Sequence, residues 1–264
     1  MMGWDYTPHV IRLDDGSSVE FTAHNIRLDD GSLTKPDEQF TMDEHGWFVA
    51  AKNILELVFP GEKKRIRLAD VGCLEGGFSV EFARMGFDVL GIEIRESNIA
   101  ACNYVKSKTN LPNLNFVKDN AWNIANYGMF DAIFCSGLLY HLDKPKQFLR
   151  TLASATNKIV ILQTHFATEA QELSDNEGLR GHWYSEFGDE ETFKKRENAK
   201  WSSWDNRRSF LIQREYLLQA INDSGFDIVL EQFDSLGPNI VDSMLRGYYH
   251  NERRGTFIGI IKSR

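Results

Sequence analysis

Apolar and polar positions change period several times along this chain. In Trp47–Val58 (WFVAAKNILELV) apolar residues recur at helical spacing until Pro60-Gly61 ends the run. Beyond it, short apolar runs alternate with longer amphipathic segments. This pattern predicts strands at Ile66–Val71, Asp88–Ile92, Leu114–Lys118, Phe130–Cys135 and Lys158–Gln163. Between them it predicts helices at Gly77–Met85, Glu96–Lys108 and Pro145–Ala155. A helix at Ser209–Ser224, stopped by Gly225, then leads to strands at Phe226–Gln232 and Gly255–Lys262. Strands alternating with helices of this length mean an α/β fold with a doubly wound, mostly parallel sheet. The closing strand pair reads as a hairpin with an elaborated loop, SLGPNIVDSMLRGYYHNERR.

Two regions stand outside that alternation. The first 46 residues hold the repeated heptapeptide IRLDDGS, at Ile11–Ser17 and Ile26–Ser32. Asp-Asp-Gly is turn chemistry, so one or two small hairpins are expected, packed on the main domain as an extension. Residues 164–206 carry no clear sheet signal and are rich in aromatics and charges, as in GHWYSEFGDEETF and KWSSWDNRR. A stretch of that length is functional or has helices of its own. The expected organisation is therefore an extension at 1–46 and a main domain at 47–264, with a helical or loop insertion at 164–206.

Composition narrows the function classes. The 264 residues are 42% hydrophobic and 26% charged, as in ordinary globular proteins. A net charge of −8 weighs against a nucleic-acid partner, which needs clustered Lys and Arg. The densest basic runs are Lys194-Lys195-Arg196 and Arg207-Arg208. Three cysteines without metal-ligand spacing suggest a reducing compartment. The start MMGWDYTPHV lacks the pattern of a signal peptide, and no apolar run reaches the ~18 residues of a membrane span. A cytoplasmic location without membrane attachment is the expectation.

The stretch ADVGCLEGGFSVEFARMGFDVLGIEI (69–94) reads as a nucleotide-binding strand, glycine turn, helix and strand. A dinucleotide fingerprint requires a middle glycine so that the backbone can approach the pyrophosphate. Here Gly72 and Gly77 hold the outer positions, and Leu74 fills the middle one. Its side chain would crowd a pyrophosphate, which disfavours NAD and FAD. Acids instead stand at three consecutive strand ends: Asp70, Glu93 and Asp119. Asp70 can accept from a ligand ammonium or fix the loop, Glu93 suits ribose hydroxyls, and Asp119 can reach an adenine amine. This set points to a nucleoside without phosphates.

The segments DVGCLEGG (70–77), GIEI (91–94), VKDNAWNI (117–124) and FDAIFCSGLLYHLDKP (130–145) together resemble class I S-adenosylmethionine-dependent methyltransferases. The resemblance runs from about Ile66 to the C-terminus. It implies a Rossmann-like seven-stranded sheet with an antiparallel last strand. It also implies S-adenosyl-L-methionine bound by Asp70, Gly72, Cys73, Gly76, Glu93, Ile94, Asp119, Asn120 and Ser136. A narrower likeness, in HNIRLDDGSLT (24–34) and LLYHLDKP, is to a branch with bacterial tRNA wobble-uridine methyltransferases and enzymes of glycan or secondary metabolism.

Methyl transfer needs alignment and, for a hydroxyl or protonated amine, a base. His165, just past the fifth strand of the main domain, is the favoured base, and His141 in LLYHLDKP is the second candidate. His182, Tyr184, Trp201, Trp204 and Arg207 of the insertion are candidates for holding the acceptor by stacking and charge. No carboxylate–histidine spacing marks a metal site. The leading expectation is a methyltransferase acting on a hydroxyl or amine of a small metabolite or sugar. The alternatives are a tRNA-modifying enzyme and a non-catalytic cofactor-binding protein.

Overall fold

The computed structural model of the chain describes residues 7–233, 241, 244, 245, 249, 250 and 253–262. Its elements in chain order are β1 (His9–Arg12), β2 (Ser18–Phe21), α1 (Gly46–Val58), β3 (Arg67–Val71), α2 (Gly77–Arg84), β4 (Asp88–Glu93), α3 (Glu96–Ser107) and β5 (Leu114–Lys118). Then follow β6 (Phe130–Ser136), α4 (Pro145–Ser154), β7 (Thr156–His165), β8 (Ser174–Asn176), β9 (Leu179–Ser185), α5 (Glu190–Lys194), β10 (Arg208–Ile212), α6 (Arg214–Asp223), β11 (Ile228–Gln232) and β12 (Arg254–Ile260).

Seven strands form one sheet in the order β11-β12-β7-β6-β3-β4-β5. The pairs β7–β6, β6–β3, β3–β4 and β4–β5 are parallel, whereas β12 runs antiparallel to both β7 and β11. Alternation along β3 sends Leu68 to one face and Ala69 and Val71 to the other, and both faces are buried. On one side Phe78 and Phe82 each meet Phe134 edge-on at 5.1 Å. On the other Trp122 meets Phe148 at 4.9 Å. The strand order turns back on either side of β3. A ligand crevice therefore opens beyond the carboxyl ends of β3, β4 and β6.

Two expectations change, and the expected hairpin of the extension is present once. Ser209–Ile212 is strand, not the first turn of a helix: Ser209 pairs with Tyr184 and Phe210 with Trp183, and α6 starts only at Arg214. The insertion is more than helix and loop, for its strands β8 and β9 join β10, just after it, in a three-stranded antiparallel sheet. Only the first IRLDDGS copy is flanked by a strand pair, β1–β2. The second makes the same turn, with Leu28 N donating to Ser32 O as Leu13 N does to Ser17 O. Its flanks meet in a single bridge between Arg27 and Leu33, because the buried Thr34 hydroxyl takes the amide of Ile26 at 2.7 Å. Most of the loop expected between the last two strands lies outside the described residues.

Candidate functional site

The loop leaving β3 is held open by three residues of positive φ, Gly72 at 73°, Leu74 at 52° and Gly76 at 83°. At Gly76 an added Cβ would also lie 2.8 Å from the Phe116 ring. Glu93, the last residue of β4, ties this loop to its own strand end. One of its oxygens accepts from Leu74 N at 3.1 Å, and the other from Ile94 N and Arg95 N at 2.8 Å each. Burial raises its carboxyl, opposed by these backbone donors. Asp70 is buried and accepts from the Ser79 hydroxyl of α2 at 2.6 Å, so it fixes the loop against the following helix. Burial lifts its carboxyl to about 7 despite that bond. Asp119, past β5, takes Asn120 N, Asn123 Nδ2 and the Tyr127 hydroxyl, each at 2.7 Å.

The remaining residues expected to touch a cofactor border the same crevice. Cys73 places its buried Sγ 4.0 Å from that of Cys102 and gives its amide to Ile92 O. Asn120 caps the 3-10 turn Ala121–Tyr127 and donates to Asp205 of the insertion at 2.8 Å. Ser136 ends β6, its hydroxyl 3.4 Å from Gln163 Oε1.

Glu75, inside the glycine-rich turn, fastens the N-terminal extension onto this loop. Its side chain has no exposure and accepts from Thr22 N and Oγ1 at 2.6 Å, Ala23 N at 3.0 Å and His24 N at 2.9 Å. His24 Nδ1 in turn accepts from Gly77 N at 2.9 Å. Burial drives the His24 imidazole down to about 4, which keeps it neutral and able to accept. An acid directly before Gly76-Gly77 was the available signal.

At the carboxyl ends of β6 and β7 an aromatic group surrounds a cation. Tyr140 meets His165 edge-on at 4.6 Å. Arg254, opposite His165 in the β12–β7 register, lies 4.0 Å from the Trp47 ring centre and 5.6 Å from that of Tyr140. Its Nε donates to Gln163 Oε1 at 2.6 Å. Trp47, Gln163 and Arg254 are distant in sequence, and no local motif marks them.

The other candidates are distributed unevenly. His141 Nδ1 lies 2.7 Å from Glu186 Oε1, the same oxygen that accepts from Tyr184 and Ser209 at 2.7 Å. The Tyr184 hydroxyl also reaches Tyr140 O at 2.5 Å, and burial pushes it far above its ordinary range. His141 and Tyr184 thus form a tie between the β6 loop and the insertion. His182 is held within the insertion by Glu172 O at 2.8 Å. Arg207 faces Glu190 at 3.8 Å. Trp201 is 45% exposed. Trp204 stacks on Arg95 at 5.5 Å and on Arg196 at 4.7 Å.

Arg95 also donates to Ala199 O at 2.9 Å and Ser202 O at 2.7 Å, and Lys200 lies 3.5 Å from Glu75. The segment 196–206 therefore lies across the crevice at β3 and β4. An open surface cavity of about 420 Å³ lies elsewhere, lined by Glu169, Arg180 and Gln213 among others. Among the described residues no group of His, Cys, Asp and Glu is placed to hold a metal, and no helix is long and apolar enough to cross a membrane.

Comparison with known proteins places this geometry. The ubiquinone biosynthesis O-methyltransferase of Rickettsia typhi is 26% identical over 102 residues, 38% of this chain and 41% of that protein. The tRNA U34 carboxymethyltransferase of Campylobacter jejuni subsp. doylei is 30% identical over 152 residues, 53% of this chain and 48% of that protein. The chain spans less than half the length of these curated relatives. Among solved structures, the N-terminal domain of EvdMO1 with SAH bound superposes with a TM-score of 0.62 at 22% identity, covering 82% of this chain and 81% of that one. A family model described as a methyltransferase domain matches residues 42–231, and the chain belongs to that family.

Proposed function

We propose that the chain is an S-adenosylmethionine-dependent methyltransferase whose acceptor is a hydroxyl or amine of a small metabolite or sugar. The observation that carries it is the acid at each of three neighbouring strand ends around a loop whose middle position is Leu74. Carboxylates at these strand ends disfavour phosphates and suit an uncharged ribose beside a cation. Glu93 keeps acceptor capacity beyond its three backbone donors, since two carboxylate oxygens offer about four lone-pair positions. When bound, the cofactor supplies an electrophilic methyl group on a sulfonium.

The chain's own residues orient and cover. Glu93 and Asp119 hold the nucleoside, Asp70 and Glu75 fix the loop beneath it, and segment 196–206 excludes water from above. His165, against Tyr140 at the β7 end, takes the acceptor's proton. A sugar acceptor has support from a structural neighbour, the N-terminal domain of EvdMO1 determined in the presence of SAH and D-fucose. A tRNA acceptor has less, because Lys195 pairs with Glu191 and Arg196 stacks on Phe193 and Trp204.

Calorimetry with S-adenosylmethionine, its demethylated product SAH and NAD tests the cofactor. Uptake of the first two and none of NAD is expected, and the reverse would overturn the reading. Transfer of labelled methyl to a panel of sugars, phenols and tRNA then separates the acceptor classes.

A further inference from the structure

Gln163 sits in the interior strand β7 with 1% exposure, and its Nε2 donor meets no hydrogen-bond partner among the described residues. Leaving a buried N–H unsatisfied costs free energy, so such a group in a native fold calls for an explanation. Its orientation is not arbitrary. Arg254 Nε donates to Gln163 Oε1 at 2.6 Å, which turns the amide nitrogen away from the guanidinium. The Ser136 hydroxyl lies on the same Oε1.

Arg254 is held by its faces. The Trp47 ring centre lies 4.0 Å from the guanidinium and that of Tyr140 5.6 Å, so the ring contacts fix its plane. Gly137 has a φ of 77°, and an added Cβ there would lie 3.4 Å from Arg254 Nη2. The bare backbone lets the cation approach the β6 end closely. Across the ladder from Arg254 is His165, whose ring meets the same Tyr140.

We propose that Arg254 and Gln163 form an anion-binding subsite that takes a carboxylate on the methyl acceptor, beside the hydroxyl or amine that receives the methyl group. The inference deepens the methyltransferase reading above and rests on it. A guanidinium edge and an amide N–H supply donors only, the complement of a carboxylate that only accepts. The subsite borders His165, so an acceptor held there by its carboxylate presents its reacting atom within the same group of side chains.

The test uses the protein saturated with SAH and a pair of probes of one shape and different charge, benzoate and benzamide, titrated by calorimetry. Benzoate is expected to bind about tenfold or more tightly than benzamide, the difference a charge-assisted pair supplies. Arg254→Met should abolish that preference while SAH affinity stays within about twofold; Arg254→Lys, which keeps the charge but loses the fork, should retain part of it. Gln163→Met should weaken benzoate and leave benzamide unchanged. Equal binding of the two probes, no benzoate binding by the SAH-loaded protein, or a preference that survives Arg254→Met would overturn the subsite. If Arg254→Met does not fold, the wild-type comparison and Arg254→Lys still decide. Failure to take up SAH at all would overturn the methyltransferase reading, a separate outcome seen before either probe is added.

Discussion

Glu186 Oε1 lies 2.7 Å from His141 Nδ1 and joins the loop after β6 to the insertion sheet. The Tyr184 and Ser209 hydroxyls converge on the same oxygen. Burial would raise this carboxyl, yet the contacts from His141, Ser209 and Tyr184 outweigh it and hold the group below its usual range.

Glu186→Ala therefore removes the acceptor shared by three partly buried contacts at once. It is expected to destabilise the protein by about 2–3 kcal/mol, read as a lower urea midpoint, with Glu186→Gln milder. His141 belongs to this tie, so His141→Asn should act chiefly on stability. His165→Asn should lower turnover by about 10²–10⁴-fold, the range for losing a general base, with little change in urea midpoint. A larger kinetic loss at His141 than at His165 would reverse their roles.

The parts of this fold legible in the sequence were those with local causes. From Ile66 to Lys118 the strands and helices follow from alternating apolar runs, and Asp70, Glu93 and Asp119 announce themselves by ending them. Ser209–Ile212 looks helical in the sequence because SFLI runs through Gln213 into REYLLQAI without a Gly or Pro break. Only pairing with β9, more than 20 residues earlier, makes it strand. Glu75, Gln163 and Arg254 gain meaning from contacts that span the chain: Glu75 with Thr22 and Lys200, and Arg254 with Trp47. Tyr184 looked like a ligand contact by composition, but its hydroxyl is committed to Glu186 and Tyr140 O.

The segment 196–206 is tied to the crevice mainly by single contacts, Arg95 to Ala199 O and Ser202 O and Lys200 to Glu75. Segments held this way open locally at low cost. Hydrogen exchange should show these amides protected further when SAH is bound. Arg95→Met should raise their exchange in the free protein and speed SAH release. Exchange unaltered by SAH would remove the covering role.

Glu93 has two duties, and its variants separate them. Glu93→Ala abolishes both the ribose acceptor and the three backbone bonds that shape the loop, so a loss of stability of about 1–3 kcal/mol should accompany the loss of cofactor affinity. Glu93→Gln keeps one acceptor oxygen and should fold better than Ala while still binding SAH about tenfold more weakly. Unchanged SAH affinity in Glu93→Gln would dismiss the ribose role.

His24 gives the extension a dependence on pH. Its imidazole is buried, accepts from Gly77 N, and is driven from an ordinary 6.5 to about 4, chiefly by burial. In the unfolded chain it protonates near 6.5, so between about 4 and 6.5 the unfolded state binds more protons than the folded one. Stability from this group is therefore full above 6.5 and declines as pH falls toward 4. His45 shifts the same way, chiefly by burial, while Asp70, lifted to about 7, acts in the opposite sense over an overlapping range. The total profile mixes these groups, but the difference between wild type and His24→Asn isolates one. That difference in unfolding free energy should be largest at pH 7 and shrink steadily toward pH 4, since Asn keeps an acceptor and does not titrate. A difference constant across the range would mean that His24 is exposed to protons in the folded state and that the extension does not seal it.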